Sequence, residues 1–264
     1  MSNATADFWQ NQVESYLGES LEKEFEVIYN AIDTQELTPN GPKTESWNDG
    51  RKTILAAARH DLRKGLEYGI KAIGLLVKAG RRDIKLMITG EGSETEKLKA
   101  LVEELDLSEF VKFVGVLPRE ELVKAYRTAD LFISPAIGGE GFGRTLAEAM
   151  SSGTLVVASR IKGYQEVMQD KPFTRSVTPQ DPLFLAMAIT EILNLSSEEK
   201  IKLQQDARAH VVDNFSLSVI AGKTIRYFEK VLIAHGRPVK EDWDYRKARK
   251  IPRFGIVFSG KIRR

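Results

Sequence analysis

From residue 52 onward the chain alternates short apolar runs with longer amphipathic ones, and this alternation constrains its fold more than any other feature. "TILAAA" (53–58), "IKLMIT" (84–89), "VKFVGV" (111–116), "LFISP" (131–135) and "TLVVAS" (154–159) have the length and apolar content of strands covered on both faces. After the first, Leu66, Ile70, Ile73 and Val77 recur at helical spacing. After the second, Leu98, Leu101, Val102 and Leu105 do the same. Residues 119–129 and 143–152 read as further helices, and a weaker strand is expected near Phe173. Asp181-Pro182 is an N-cap followed by proline at the first helical position, and Ser196 with Glu199 forms a capping box. Three helices then run to about Ala234. Strand–turn–helix repetition of this kind predicts an α/β domain with a parallel sheet covered by helices.

The ends break the alternation. Residues 4–17 read as a lone helix, "FEVIYN" (25–30) as a lone strand and 34–51 as a polar linker. After Pro238 the tail carries eight Lys/Arg from Arg246 onward and no acid after Asp244. Such a tail is a solvated end or a contact for anionic lipid or a partner, so peripheral membrane contact is one expectation. With 39 basic against 37 acidic residues, no global field argues for a nucleic-acid partner. The absence of cysteine removes disulfides and thiolate nucleophiles. No basic leader precedes an apolar core, and no run approaches the roughly 18 apolar residues of a spanning helix, so a cytoplasmic protein is expected.

Chemistry concentrates in "GGEGFGRTLAEAM" (138–150), where Glu140 and Glu148 bracket a glycine turn. Strand, turn and helix in that order put the loop at the C-terminal edge of the sheet, where parallel α/β folds bind ligands. The helix from Gly143 aims its free N–H groups into the crevice, so Gly141, Phe142, Gly143, Arg144 and Thr145 are assigned to an anionic ligand. Carboxylates beside a phosphate need another purpose, and accepting hydrogen bonds from a vicinal diol supplies one. A sugar nucleotide has a diol on each side of its diphosphate: Glu140 is read as holding the donor sugar, Glu148 the ribose. The diphosphate needs cations, and the exit of the first strand offers Arg59 and Lys64. If that strand lies beside the one ending at Pro135, these groups converge.

Residues 52 to about 234 resemble the C-terminal, nucleotide-sugar-binding domain of retaining glycosyltransferases of family four, the GT-B group that includes bacterial phosphatidylinositol mannosyltransferases. The resemblance is carried by E-x7-E at Glu140 and Glu148, by Arg59, Lys64 and Gly65, and by "FVGVLPREELVKAYRTADLFISP" (113–135). It implies a Rossmann-like parallel sheet of about six strands flanked by helices. It also implies contacts of Glu140 with sugar, Glu148 with ribose, Arg59 and Lys64 with diphosphate, and Val116 and Leu117 with the base. Glu140, Arg59 and Lys64 are the implied catalytic residues, with no cofactor or metal. Departures are Ala31 and Ala58, where glycine is usual, and Leu155, where proline is common. The implied division is 1–51 as remnant and linker, 52–235 as donor-binding domain and 236–264 as basic tail. The acceptor-binding half is expected in an N-terminal domain or a second chain, so no catalytic base carries over.

Two other functions compete. A non-catalytic module that senses nucleotide sugars makes the same binding prediction without turnover. A metal-dependent transferase would use Asp242-Trp243-Asp244, a D-x-D triplet in the tail rather than at a strand end. His60, His210 and His235 lack metal-ligand spacing and are expected in core or solvent.

Overall fold

The computed structural model describes residues 11–12 and 26–234. Six strands, β1 (Lys52–Ala57), β2 (Ile84–Thr89), β3 (Val111–Phe113), β4 (Leu131–Ser134), β5 (Val156–Ser159) and β6 (Thr174–Val177), pair in parallel in the order β3-β2-β1-β4-β5-β6. The helices are α1 (Leu66–Lys78), α2 (Thr95–Glu104), α3 (Arg119–Thr128), α4 (Arg144–Ser151), α5 (Lys162–Met168), α6 (Pro182–Leu193), α7 (Ser197–Phe215) and α8 (Leu217–Ala234). The parallel α/β architecture expected from the alternation, and the six-stranded Rossmann-like sheet that the resemblance implies, are therefore present. The order reverses between β1 and β4, and a reversal of this kind opens a crevice beyond the carboxyl ends of the two strands.

The strands form where their residues are buried on both faces: Ile54, Leu55, Phe132, Val156 and Val157 are fully enclosed. Lys85 is the exception inside β2. Its ammonium donates to the Trp47 carbonyl and, at 2.8 Å, to Asp49, so the buried charge is paired. Hydrogen bonds from Arg51 first, then Lys85, hold the Asp49 carboxyl well below the usual carboxylate range. Both helix caps are in place. Asp181 accepts from the N–H groups of Leu183 and Phe184, and Ser196 and Glu199 exchange side-chain-to-backbone bonds.

Local departures have physical reasons. β3 stops at Phe113 because Gly115 turns to φ +69° and gives its carbonyl to Gly90 N–H and Thr89 Oγ1. Leu105 caps the end of α2 and is exposed rather than core. No strand forms over 26–30; Ile32 makes a single bridge to Ser216 instead. Residues 34–51, expected as a polar linker, contribute buried Leu37 and Trp47. Arg127 donates to the carbonyls of Glu36 and Thr38, and Arg208 to those of Thr34, Leu37 and Ser151.

Described residues up to Ala221 belong to one compact unit and those from Gly222 to a second. The helix expected over 4–17 lies outside the described residues except for helical Asn11 and Gln12, as do the tail at 236–264 and its D-x-D triplet.

Candidate functional site

The loops leaving β1 to β4 are locked together at the carboxyl edge of the sheet. Gly65, at φ +60°, sits where a Cβ would lie 2.1 Å from the Pro135 carbonyl oxygen, and Ile137 N–H donates to the Arg63 carbonyl at 2.8 Å. A side chain at Gly90 would meet the Ala58 carbonyl oxygen at 1.9 Å, and His60 and Glu91 are joined by a backbone bond of 3.0 Å. The exits of the adjacent strands β1 and β4 thus share one rim.

Across that rim Lys64 donates to Glu140 Oε1 in a half-buried ion pair. The backbone of Glu140 rests on α5. A Cβ at Gly163 would come within 2.0 Å of the Glu140 carbonyl oxygen, so only glycine permits this approach. The next residue, Tyr164, lies under Gly143, and its hydroxyl is 2.6 Å from Ser134 Oγ. Burial first, then the charge of Glu140, push the Tyr164 phenol up, so it stays neutral beside the carboxylate.

Glu148 lies one turn into α4 and is only 4% exposed. Its Oε2 accepts from Tyr126 at 3.0 Å and its Oε1 from Arg119 at 3.0 Å, while Arg144 lies within ion-pair range of Oε1 at 3.3 Å. Arg119 in turn donates to Glu36 at 2.9 Å. Burial alone would lower the Arg119 pKa, but hydrogen bonds and charge from Glu36 and Glu148 outweigh it, and the shift is upward. Burial, then Glu148, raise the Tyr126 hydroxyl well above its ordinary value, keeping it a donor.

The other residues assigned from sequence are placed unevenly. Arg59 is in the same loop as Lys64, but its side chain is 74% exposed and lies 3.4 Å from Asp61, not on Glu140. Val116 is exposed on the β3 exit, and Leu117 is half-buried against the core. Phe142 is buried in an aromatic cluster, stacked on Tyr29 at 5.4 Å and edge-on to Phe215 at 5.3 Å, so only its backbone is available to a ligand. Gly141 is exposed. Gly143, at φ +85°, is the N-cap of α4 and has no capping side chain, leaving the first-turn N–H groups of Arg144 and Thr145 to face the crevice end of the helix.

His60 and His210 are core residues. His60 Nδ1 pairs with Thr95 Oγ1 at 2.9 Å, and His210 Nε2 lies 2.8 Å from the Val167 carbonyl; burial depresses both pKa values. Among the described residues no group of three His, Asp or Glu is arranged to hold a metal, and no helix is long and apolar enough to cross a membrane.

Sequence reasoning missed Arg119, Tyr126, Gly163 and Tyr164. For the first two a signal existed: they are seven apart, hence on one face of α3 two turns from each other. For Gly163 nothing local says that backbone from residue 140 rests on it.

Residues 39–210 match the model of the family described as glycosyl transferases group 1. Among curated relatives, the phosphatidyl-myo-inositol mannosyltransferase of Mycolicibacterium smegmatis is 31% identical, over 81% of this chain and 54% of its own length. The chain spans about half the length of the curated relatives it matches. Among solved structures, a glycosyltransferase from Rickettsia africae superposes with a TM-score of 0.74 at 23% identity, covering 88% of this chain and 68% of that one. An Anabaena protein crystallised with UDP and glucose does so with a TM-score of 0.72 at 20% identity, covering 83% of this chain and 60% of that one. At these identities the structures share the fold.

Proposed function

This chain belongs to the glycosyl transferases group 1 family, and on that premise we propose that it is the donor-binding half of a retaining glycosyltransferase. Its donor is a nucleoside-diphosphate sugar and its acceptor a lipid-linked or saccharide hydroxyl. The observation that carries the reading is the contact of Lys64 with Glu140 across the β1/β4 reversal, which joins a cation and a carboxylate from separate loops at one point. The names of the neighbours agree: one acts on phosphatidyl-myo-inositol and another was solved with UDP and glucose.

In this reading Glu140 accepts hydrogen bonds from the donor sugar and Glu148 from the ribose. Lys64, Arg59 and the uncapped start of α4 receive the diphosphate, while the exposed Val116 and the adjacent Leu117 lie against the base. As the glycosidic bond breaks, negative charge grows on the leaving diphosphate. Fixed cations and backbone donors that meet that charge lower the barrier. Lys64 then exchanges Glu140 for phosphate, and Arg59, already exposed, turns from Asp61. No metal is needed where these groups neutralise the departing charge. The acceptor half belongs to an N-terminal domain or a second chain. The protein works in the cytoplasm, with the basic tail contacting an anionic membrane face.

Calorimetry with ADP, GDP and UDP tests the reading. Lys64→Ala and Arg59→Ala should each weaken the tightest ligand by about 2 kcal/mol, with or without chelator. Equal affinity in wild type and both variants overturns it. The alternative of a sensing module is kept because the chain spans about half of its relatives. Product analysis with a nucleotide sugar, with and without an N-terminal partner, separates the two: sugar transfer or donor hydrolysis rules out the pure sensor.

A further inference from the structure

The Glu148 carboxylate is almost wholly buried, yet it is assigned to meet a ligand, so its orientation has to be fixed by protein groups. A carboxylate has about four acceptor positions, two on each oxygen. Tyr126 takes one on Oε2 and Arg119 takes one on Oε1, while Arg144 is held near Oε1 by charge alone. These three groups differ in permanence. Tyr126 is fully enclosed, its ring packed against Phe132. Arg144 is 65% exposed and reaches Glu148 at 3.3 Å across one helical turn, an arrangement that contributes little and exchanges readily.

Arg119 is the unexpected member. It is the first residue of α3, where the helix dipole disfavours a cation, so the helix does not explain its presence. Its partners do. One arm of the guanidinium reaches Glu148 at 3.0 Å and the other reaches Glu36 at 2.9 Å. The Glu36 backbone is itself anchored: Asp33 Oδ1 accepts from the N–H groups of Gln35 and Glu36, and Arg127 donates to the Glu36 carbonyl. The planar fork of an arginine between two fixed acids locks a direction as well as a charge.

We infer that Arg119 is the positioning residue for Glu148, clamping its carboxylate together with Tyr126 so that the remaining acceptor position on each oxygen faces the two ribose hydroxyls. The inference rests on the reading of Glu148 as the ribose acceptor. It adds two residues, Arg119 and Glu36, that need not touch the nucleotide.

The test measures discrimination rather than affinity alone. The full chain is titrated with whichever of ADP, GDP and UDP binds tightest, and with the 2′,3′-dideoxy form of the same nucleotide. Wild type should prefer the ribose form by about tenfold or more, and Glu148→Gln should bring the ratio close to one. Arg119→Gln should collapse the ratio in the same way while changing affinity for the dideoxy form by less than about twofold. Arg119→Lys should restore only part of it, because the charge returns without the fork. Tyr126→Phe, which keeps the ring in the core, should lower the ratio too and carries the test if Arg119→Gln does not fold.

If Glu148→Gln abolishes discrimination while Arg119→Gln and Tyr126→Phe retain it, the positioning role falls and the ribose reading stands. If Arg119→Gln weakens both ligands equally, the residue is merely structural and the inference falls. If wild type does not distinguish the two ligands, or binds neither, the ribose reading fails and the inference fails with it.

Discussion

At the scale of single residues, the site depends on one close approach that no side chain makes. Gly163 lets the start of α5 lie against the backbone of Glu140 and Gly141, where a Cβ would be 2.0 Å from one oxygen and 2.9 Å from a carbonyl carbon. On helix propensity alone, Gly163→Ala should stabilise α5 by up to about 1 kcal/mol. Because the obstructing atoms are backbone, the loop has to move instead. Nucleoside-diphosphate affinity should therefore fall by about tenfold or more in calorimetry, with an unchanged circular dichroism spectrum. Unchanged affinity would mean that the position of Glu140 does not matter to the ligand. The acids and Lys64 were legible in the sequence because their spacing around a glycine turn has few other uses. Arg119, Tyr126 and Gly163 were not: the seven-residue spacing of the first two marks a shared face of α3 without saying that Glu148 meets it, and Gly163 touches only the backbone of residues 140 and 141.

At the scale of elements, legibility followed burial. Strands enclosed on both faces announce themselves as apolar runs, and Ile84–Thr89 occupies the span the sequence suggested. The segment 25–30 has strand-like composition, but no neighbouring strand pairs with residues 26–30, and composition without a ladder partner does not make a strand. Helix α5 was overlooked because it has seven residues, the second of them a glycine that reads as a breaker. Helix starts were the most readable feature, since a cap is local chemistry. Ser196→Ala removes the hydroxyl that accepts from Glu199 N–H at the head of the 19-residue α7. It should cost about 1 kcal/mol in urea denaturation, with Ser196→Gly costing only a few tenths. No loss in Ser196→Ala would show that the hydroxyl bond is not what starts the helix.

At the scale of the whole molecule, the carboxyl edge of the sheet carries the Lys64–Glu140 pair and the opposite edge ties strands and helix together. Asp130, immediately before β4, accepts from Thr53 N–H of β1 at 3.0 Å and from Lys200 of α7 at 2.8 Å, with Lys52 at 3.7 Å. It thus joins the two strands that flank the crevice to a helix on the sheet's face. Burial pushes its carboxyl up, but the hydrogen bond and charge of Lys200, the Thr53 N–H and Lys52 outweigh this, and its pKa lies below the ordinary value. A carboxyl with a depressed folded-state pKa adds stability that is present in full above its unfolded value, about 3.9, and is lost as pH falls through the folded value. Asp130→Asn keeps the shape and an acceptor for Thr53 but loses the charge. It should lower unfolding free energy by roughly 1–2 kcal/mol at pH 7. The difference from wild type should hold from pH 7 to about pH 5 and shrink below about pH 4, where the Asp130 carboxyl of the unfolded chain begins to take up its proton. Urea titrations of both proteins across that range measure it. A difference as large at about pH 3.5 as at pH 7 would assign the loss to altered hydrogen-bond geometry and remove the ionic link between β1, β4 and α7.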